Sequence, residues 1–396
     1  MTFRQVLFWL HLATGLVCGA IVALLCFTGT LLAYEKELVA HFERDARQVA
    51  LPAENTPRLP LAELQRRARE AHPDLSFASM VIARDPQAAV AFVSGRTGTV
   101  YVNPYTGELR RPRSDSAARF MQTMVALHRW LGFTGEKSRP LGKLVTGAAN
   151  LAFAGLAVTG LILWWPRSFS WRAFRPAIWF TQNSTGRARD WNWHNTVGFW
   201  SAPVLITLTL TALPISFRWA AELTYTLTGT PLPATGPQSS GAPPSAATVP
   251  LPPADARPVS RDLLLATANA QIPGWQTITF RLSPNADPAK PQPASLTIRE
   301  SDTWPRTATT TLQLNPFTGE LLRRDGYTDL SAARKVRAWS RFLHTGEALG
   351  LAGQFVAGLA CLGGCFLVYT GFALSWRRFF GRKDPSASSP VAERAG

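Results

Sequence analysis

The chain has 396 residues, of which 46% are hydrophobic, and its 41 Lys and Arg residues outnumber 25 Asp and Glu residues to give a formal net charge of +16. This positive charge is spread over the flanks of apolar segments and over the polar segments between them, with no basic helix and no aromatic RNA-binding signature, which excludes a nucleic-acid partner. All four cysteines lie within apolar segments, so neither a disulfide framework in the polar segments nor a zinc site of four thiolates is expected.

Four windows contain no Asp, Glu, Lys or Arg: residues 5–34, 144–166, 191–217 and 348–376. Each window is long enough to cross a hydrocarbon core of about 30 Å as a helix that rises about 1.5 Å per residue. A buried helix of a soluble protein rarely runs so far without a charge. The sequence therefore predicts an α-helical membrane protein with four transmembrane helices. The first is expected to be retained as a signal anchor, because no clear cleavage site of small residues precedes Tyr34.

The arginines beside these windows predict the orientation of the chain. The link at 167–190 carries five arginines before Asp190, and the tail at 377–396 begins with two more. Short basic links favour the cytoplasmic side of a membrane. Both termini are therefore expected inside, with the long segments 35–140 and 218–345 outside.

Each long outer segment combines one helical pattern with alternating strands. The first segment predicts a helix at 61–71 and strands near 77–82, 89–93 and 97–102. The second predicts a helix at 261–270 and strands near 277–280, 294–298 and 309–314. Period-two alternation interrupted by Gly, Asn and Pro is typical of a small antiparallel sheet beside a helix, which predicts two outer α+β modules. The uncharged stretch 230–253 is predicted to be an extended linker, because its repeated prolines break a helix.

Several motifs occur twice and in the same order. His11, Gly15 and Thr28 recur 183 positions later as His194, Gly198 and Thr211. The segment 103–109 returns as 315–321. The segments Thr134-Gly-Glu and Thr159-Gly return as Thr345-Gly-Glu and Thr370-Gly. This order predicts an internal duplication of a membrane segment, an outer module and a second membrane segment.

The histidines are the residues of this chain most suggestive of chemistry, because a polar ring at membrane depth is costly. His11 and His194 lie in the first and third spans near the cytoplasmic side, whereas His128 and His344 precede the second and fourth spans on the outer side. Neutral imidazole is a common axial ligand of haem iron, and helix bundles commonly build such sites from facing helices. The pattern favours two haems, each held by one pair, over the alternative in which the histidines form only hydrogen bonds between helices.

The outer pair departs from strict repetition. When Thr134-Gly-Glu is aligned with Thr345-Gly-Glu, His344 falls opposite Phe133 and not opposite His128. His128 therefore lies five residues earlier than the repeat requires. The two remaining histidines, His41 and His72, lie in polar surroundings of the first outer segment and are interpreted as surface residues.

The chain resembles a known family, the PepSY-associated transmembrane proteins, which include siderophore-iron reductases of the bacterial inner membrane. The resemblance covers nearly the whole chain, and its strength lies in the order and duplication of the motifs. The first-half motifs are at 8–15, 102–109, 127–132 and 159–166, and their second-half counterparts are at 193–198, 314–321, 343–346 and 370–376.

The resemblance implies four transmembrane helices with two outer PepSY modules and b-type haem held by His11, His128, His194 and His344. It implies an oxidoreductase of the inner membrane that carries electrons outward and reduces periplasmic ferric siderophore to release Fe(II). Some relatives continue into flavin-binding domains; none follows Trp376 in this sequence, so the expected electron donor is a quinol or a separate reductase. Two alternatives remain: a haem-free membrane protein whose modules bind a partner, and a haem cytochrome with another redox substrate.

Overall fold

The computed structural model of the protein describes residues 1–51, 56–95, 98–166, 168, 170–233, 246–251, 256–282, 291–301 and 303–381. Most of the predicted linker at 230–253 and most of the tail at 377–396 lie outside the described residues, as does Arg167 of the basic link.

The described residues form twelve α-helices and eight β-strands. The helices are α1 (Phe3–Leu32), α2 (Glu35–Phe42), α3 (Arg44–Arg47), α4 (Leu61–Ala71), α5 (Ser116–Trp130), α6 (Arg139–Trp164), α7 (Trp171–Ile178), α8 (Gly186–Ser216), α9 (Arg218–Leu227), α10 (Arg261–Gln271), α11 (Ala332–His344) and α12 (Gly350–Phe379). The strands are β1 (Ser79–Ala83), β2 (Val90–Ser94), β3 (Gly98–Val102), β4 (Leu109–Arg110), β5 (Trp275–Arg281), β6 (Ala294–Glu300), β7 (Thr309–Leu314) and β8 (Leu321–Asp325).

The helices α1, α6, α8 and α12 are long and apolar enough to cross a membrane, which confirms the four predicted spans. The chain is therefore a membrane protein. The helix α1 packs against α6 and α12, and α8 packs against the same two helices, so the four spans form a ring in the order α1, α6, α8, α12. Close packing in this ring depends on small residues, since a Cβ at Gly364 of α12 would clash with the thiol of Cys26 in α1.

Two amphipathic helices join the spans to the sheet. The helix α5 packs on α1 and α6, whereas α11 packs on α8 and α9. The side of the bundle where α5 and α11 lie is called the sheet side below, and the opposite side, which carries residue 1 and the end of α12, is called the terminal side.

The strands form one continuous antiparallel sheet in the order β4-β3-β2-β1-β5-β6-β7-β8. Strands β1 and β5 pair at its centre, with Met80 opposite Phe280 and Ile82 opposite Ile278. The helices α4 and α10 cover one face of the sheet, where their buried Leu64 and Leu264 join the strand side chains in a single core. The sequence predicts a separate small sheet for each module, so the pairing of β1 with β5 is a difference from that expectation.

The two copies of the Asn-Pro-aromatic-Thr-Gly motif form the same turn. The Asn103 side chain accepts a hydrogen bond from the Tyr105 amide at 2.9 Å, and Asn315 accepts one from the Phe317 amide at the same distance. Gly107 and Gly319 close the two turns with φ of 72° and 78°, a region that disfavours residues with a Cβ.

Replacing Ile278 with Ala is expected to lower the free energy of unfolding of the sheet by about 2–5 kcal/mol, because the change leaves a cavity in a fully buried site. Thermal unfolding of the detergent-solubilised protein measures this effect. Thr279→Ala, on the next residue and the opposite face, is the control and should cost less than about 1 kcal/mol. Equal losses from both variants would contradict the position of the core.

Candidate functional site: two histidine pairs in the helix bundle

His11 and His194 lie on helices at opposite corners of the ring of spans. His11 lies eight residues into α1, about 12 Å from the helix start on the terminal side. His194 lies at the same position of α8, eight residues after the start of that helix. The structure thus places the two histidines that the repeat relates at a similar level of the bundle, and we call them the inner pair.

A network at the terminal side fixes the start of α8 and with it His194. The buried carboxylate of Asp190 accepts hydrogen bonds from Arg189 at 3.0 Å and from Arg377 of α12 at 2.9 Å. Asn192 also ties α8 to the link that precedes it, because its amide group donates to the Trp179 carbonyl at 3.0 Å and accepts from the Thr181 amide at 2.9 Å. His194 lies two residues after Asn192 on the same helix, so this network also fixes the position of His194.

His128 and His344 face each other on the sheet side, with ring centres 6.2 Å apart and ring planes at 50°. We call them the outer pair. The two histidines occupy different positions at the ends of their helices. The helix α5 continues two residues beyond His128 and then turns at Leu131, whose φ of 53° is left-handed, whereas α11 ends at His344 itself. The sequence did not predict these helices, yet they place both imidazoles at one level.

Each of the four imidazoles is held through its Nδ1 atom. His11 contacts the Thr159 hydroxyl at 2.9 Å, His194 the Thr370 hydroxyl at 2.8 Å, His128 the Thr28 hydroxyl at 2.8 Å and His344 the Leu208 carbonyl at 2.9 Å. Every partner lies on a different helix from its histidine, so each contact also joins two helices of the bundle.

These contacts determine the tautomer of each histidine. A threonine hydroxyl has one proton, and Thr28, Thr159 and Thr370 donate it to carbonyls of their own helices, at 2.7, 2.7 and 2.9 Å. Their oxygens must therefore accept from Nδ1–H, and the Leu208 carbonyl can only accept. All four rings consequently carry the proton on Nδ1 and leave the Nε2 lone pair available, and no described residue forms a hydrogen bond with any of these Nε2 atoms.

A glycine follows each of the three threonines and lies against the same ring. A Cβ at Gly160 would lie 3.4 Å from Cε1 of His11, one at Gly371 3.6 Å from Cε1 of His194, and one at Gly29 3.5 Å from Cε1 of His128. Any larger side chain would extend into the space beside the imidazole. The Thr-Gly pair thus serves as both a hydrogen-bond acceptor and a small surface for the ring.

The threonines belong to the candidate site but were not identified by sequence reasoning, although Thr28, Thr159 and Thr370 were visible as markers of the repeat. Thr211, the counterpart of Thr28, does not hold a histidine. Its hydroxyl bonds only to the carbonyls of Thr207 and Leu208 in its own helix, and Ala212 follows it in place of glycine. His344 instead reaches the backbone at Leu208.

The inner and outer pairs are separated along the bundle axis. Seventeen residues of α1 lie between the levels of His11 and Thr28, which corresponds to about 25 Å of helix. Fourteen residues of α8 lie between His194 and Leu208, or about 21 Å. The two pairs therefore form two distinct sites, one near each side of the membrane.

The two other histidines lie away from the bundle sites. His72 accepts a hydrogen bond from Arg111 at 2.9 Å, and burial together with the Arg111 charge keeps the pKa of His72 below its usual value. His41 is exposed and packs edge-to-face on Phe42. Neither contact joins the histidine to a second His, Cys, Asp or Glu side chain.

Paired neutral imidazoles can ligate one metal ion from two sides. The described residues contain no group of three or more His, Cys, Asp and Glu side chains arranged to hold a metal ion. The fold and the site define a four-span helical membrane protein that carries two histidine pairs in its bundle and an α+β region beside it.

The family model described as PepSY-associated TM region matches residues 8–378, and the chain belongs to this family. A comparison with curated proteins finds no match to the chain.

Proposed function

We propose that this protein is a b-type haem oxidoreductase of the bacterial inner membrane that passes electrons outward to ferric siderophore and releases Fe(II). The observation that carries the proposal is the set of four histidines in two pairs, each with Nδ1 held and Nε2 available. A hydrogen bond between helices would need only one polar contact per histidine. It would not need a second histidine at the same level, yet His344 faces His128 at the outer level.

The donor set suits haem iron better than a bare ion. Two imidazoles leave most coordination positions of a metal unfilled, and a macrocycle supplies the remainder. The 6.2 Å separation of the His128 and His344 ring centres would allow both imidazoles to bind one metal ion. Haem bound at both pairs would supply one-electron redox centres at two depths of the membrane.

The chain's own residues set the properties of these sites. The acceptor at Nδ1 orients each ring and makes Nε2 a stronger donor. Gly29, Gly160 and Gly371 keep the space beside three of the rings free of side chains. The four spans are apolar, and an apolar shell limits the access of solvent to such sites.

The proposed direction of electron flow rests on the distribution of positive charge. The terminal side carries Arg4, Arg172, Arg175, Arg187, Arg189, Arg377 and Arg378 in or beside its short link and helix ends. This bias favours the cytoplasm for the terminal side and the periplasm for the sheet side. Both PepSY modules, which we propose to be related by duplication, would then lie on the substrate side.

The chemistry requires one electron for each ferric ion. A quinol donor would reduce two ferric ions in succession and release two protons, and a separate reductase could supply the same electrons. Reduction to Fe(II) weakens an oxygen ligand cage built for Fe(III) and so promotes release of the iron.

The proposal is tested on the purified protein in detergent. We expect a Soret band and a pyridine haemochrome of b type that is extractable, because the chain has no Cys-x-x-Cys-His attachment motif. Protein reduced with dithionite and freed of excess reductant should be reoxidised by ferric siderophore, with Fe(II) captured by a ferrous chelator. The gallium complex of the same siderophore is the control, because Ga(III) accepts no electron under these conditions.

Two results would contradict the proposal. A colourless preparation from haem-replete cells would reject the haem sites and favour a haem-free protein that binds a partner. A coloured preparation that is reoxidised no faster with ferric siderophore than with the gallium complex would reject the substrate and favour another redox partner.

A further inference from the structure

An exposed aromatic cluster lies on the sheet side, where the loop between β6 and β7 meets α11. Trp304 of this loop is 63% exposed, and its ring packs on Trp339 of α11 at 5.5 Å between ring centres. Trp339 donates from Nε1 to the Tyr327 hydroxyl at 2.7 Å. The inner ring is thus fixed by a hydrogen bond, whereas Trp304 presents a large apolar surface outward.

Two cations border this cluster. Lys335 lies 5.8 Å from the centre of the Tyr327 ring and donates to the Thr328 carbonyl at 2.8 Å. Arg306 follows Trp304 by two residues, and its guanidinium lies beside Gly350 at the start of α12. Trp304, Arg306, Tyr327, Lys335 and Trp339 are called the Trp304 cluster below.

The charge around the cluster is positive. The helix α11 carries Arg334, Lys335, Arg337 and Arg341 and no acidic residue. The nearby Asp329 is used within its own turn, where it accepts from the Gly326 amide at 2.7 Å, and Asp325 pairs with Arg323. Within the described part of the chain, neither Arg306 nor Lys335 forms an ion pair with a carboxylate. An anionic ligand would therefore meet two cations that form no ion pair with a described carboxylate.

The cluster lies next to the outer histidine pair. Trp339 precedes His344 by five residues on the same helix, a distance of about 7.5 Å along the axis. Arg306 lies beside Gly350, at the start of α12, on the same side of the bundle. A ligand held at Trp304 would thus lie at the rim of the bundle, above the site that contains His344.

We propose that the Trp304 cluster binds a ferric chelate whose iron ligands are aromatic and anionic, of the catecholate or phenolate class. This inference rests on the proposed function and assigns a substrate class to it. The exposed face of Trp304 would stack on a ligand ring, while Arg306 and Lys335 offset the negative charge of the complex. An aliphatic hydroxamate complex offers neither an aromatic ring nor the same charge, so it would gain little from this surface.

The test measures binding without electron transfer. The full-length protein is titrated by calorimetry with the Ga(III) complex of a tricatecholate, and separately with the Ga(III) complex of an aliphatic trihydroxamate. We expect the catecholate complex to bind more tightly, and Trp304→Ala to weaken it about tenfold. Trp304→Phe should restore most of the affinity, because it keeps an aromatic face. Lys335→Gln should weaken binding of the catecholate complex and reduce its dependence on salt.

Trp171→Ala is the matched control, because Trp171 is 65% exposed but lies on the terminal side. Unchanged catecholate binding by Trp304→Ala would overturn the proposal, as would equal binding of the two gallium complexes. Brominated lipid is also added to the wild type and to Trp304→Ala, and the difference in quenched tryptophan fluorescence then reports on Trp304. Quenching at Trp304 with no response to either complex would identify a membrane-interface residue and would overturn the proposal as well. If gallium catecholate binds as expected but no ferric complex is reduced, the binding site stands and the reductase function fails. If ferric catecholate is reduced equally by wild type and Trp304→Ala, the reductase stands and the site fails.

Discussion

Replacing His194 with Ala is expected to remove one haem per chain, or to convert it to high spin, and to leave the second haem in place. His194 is one of two imidazoles at the inner site, and the outer pair lies about 21 Å away along α8 on different helices. The bundle should persist, because the contact of α8 with α12 also includes the Asp190–Arg377 ion pair. Haem content by pyridine haemochrome and the low-spin visible spectrum measure the result.

The other three ligand candidates define the pairing. His11→Ala should reproduce the effect of His194→Ala, and the double variant should lose no more haem than either single variant. His128→Ala and His344→Ala should together behave as a second, independent pair. His72→Ala is the control, since its ring contacts Arg111 on the surface of the first module. Full low-spin haem content in both His11→Ala and His194→Ala would show that the inner pairing is wrong.

The four spans could be predicted from the sequence because a charge-free window depends only on local composition. Six of the eight strands could also be predicted, because alternation is visible within five or six residues, whereas β4 and β8 were not predicted. The pairing of β1 with β5 could not be predicted. Those strands are nearly two hundred residues apart, and each would satisfy its alternation equally well at the edge of a separate sheet.

The four histidines could be found because a histidine in an apolar window is conspicuous, but their Nδ1 partners could not be found in the same way. Thr159 is 148 residues from His11, and Thr370 is 176 residues from His194. A threonine in a span ordinarily bonds to its own helix, as Thr209 and Thr211 do here. Only the packing of neighbouring helices shows which threonines also accept from a ring.

The contacts at Nδ1 couple the ligand candidates to the architecture of the bundle. They join α1 to α6, α8 to α12, α5 to α1, and α11 to α8, so each ring is fixed by a neighbouring helix and not by its own. A shift of one helix against another would therefore move an imidazole. The strength of these contacts can be tested separately from the presence of the histidines.

Thr370→Val is expected to weaken haem binding at the inner site by about 10- to 100-fold and to raise the reduction potential of that haem. Valine keeps the shape of threonine but cannot accept the Nδ1 proton of His194. The ring then loses its fixed orientation, a buried N–H is left without a partner, and Nε2 becomes a weaker donor to the oxidised metal. Haem transfer to a competing apoprotein measures the affinity, and a spectroscopic redox titration measures the potential.

Thr209→Val provides the matched control for this prediction. Thr209 is buried like Thr370 and donates to carbonyls of its own helix, but it contacts no histidine. Loss of its hydroxyl should leave both haems unchanged, whereas Thr28→Val should repeat the effect of Thr370→Val at the outer site through His128. If Thr370→Val and Thr209→Val shift the haem properties equally, the effect belongs to helix packing and the acceptor role of Thr370 is wrong. A change confined to the haem next to the altered threonine would show that these hydroxyls set the donor strength of individual histidines.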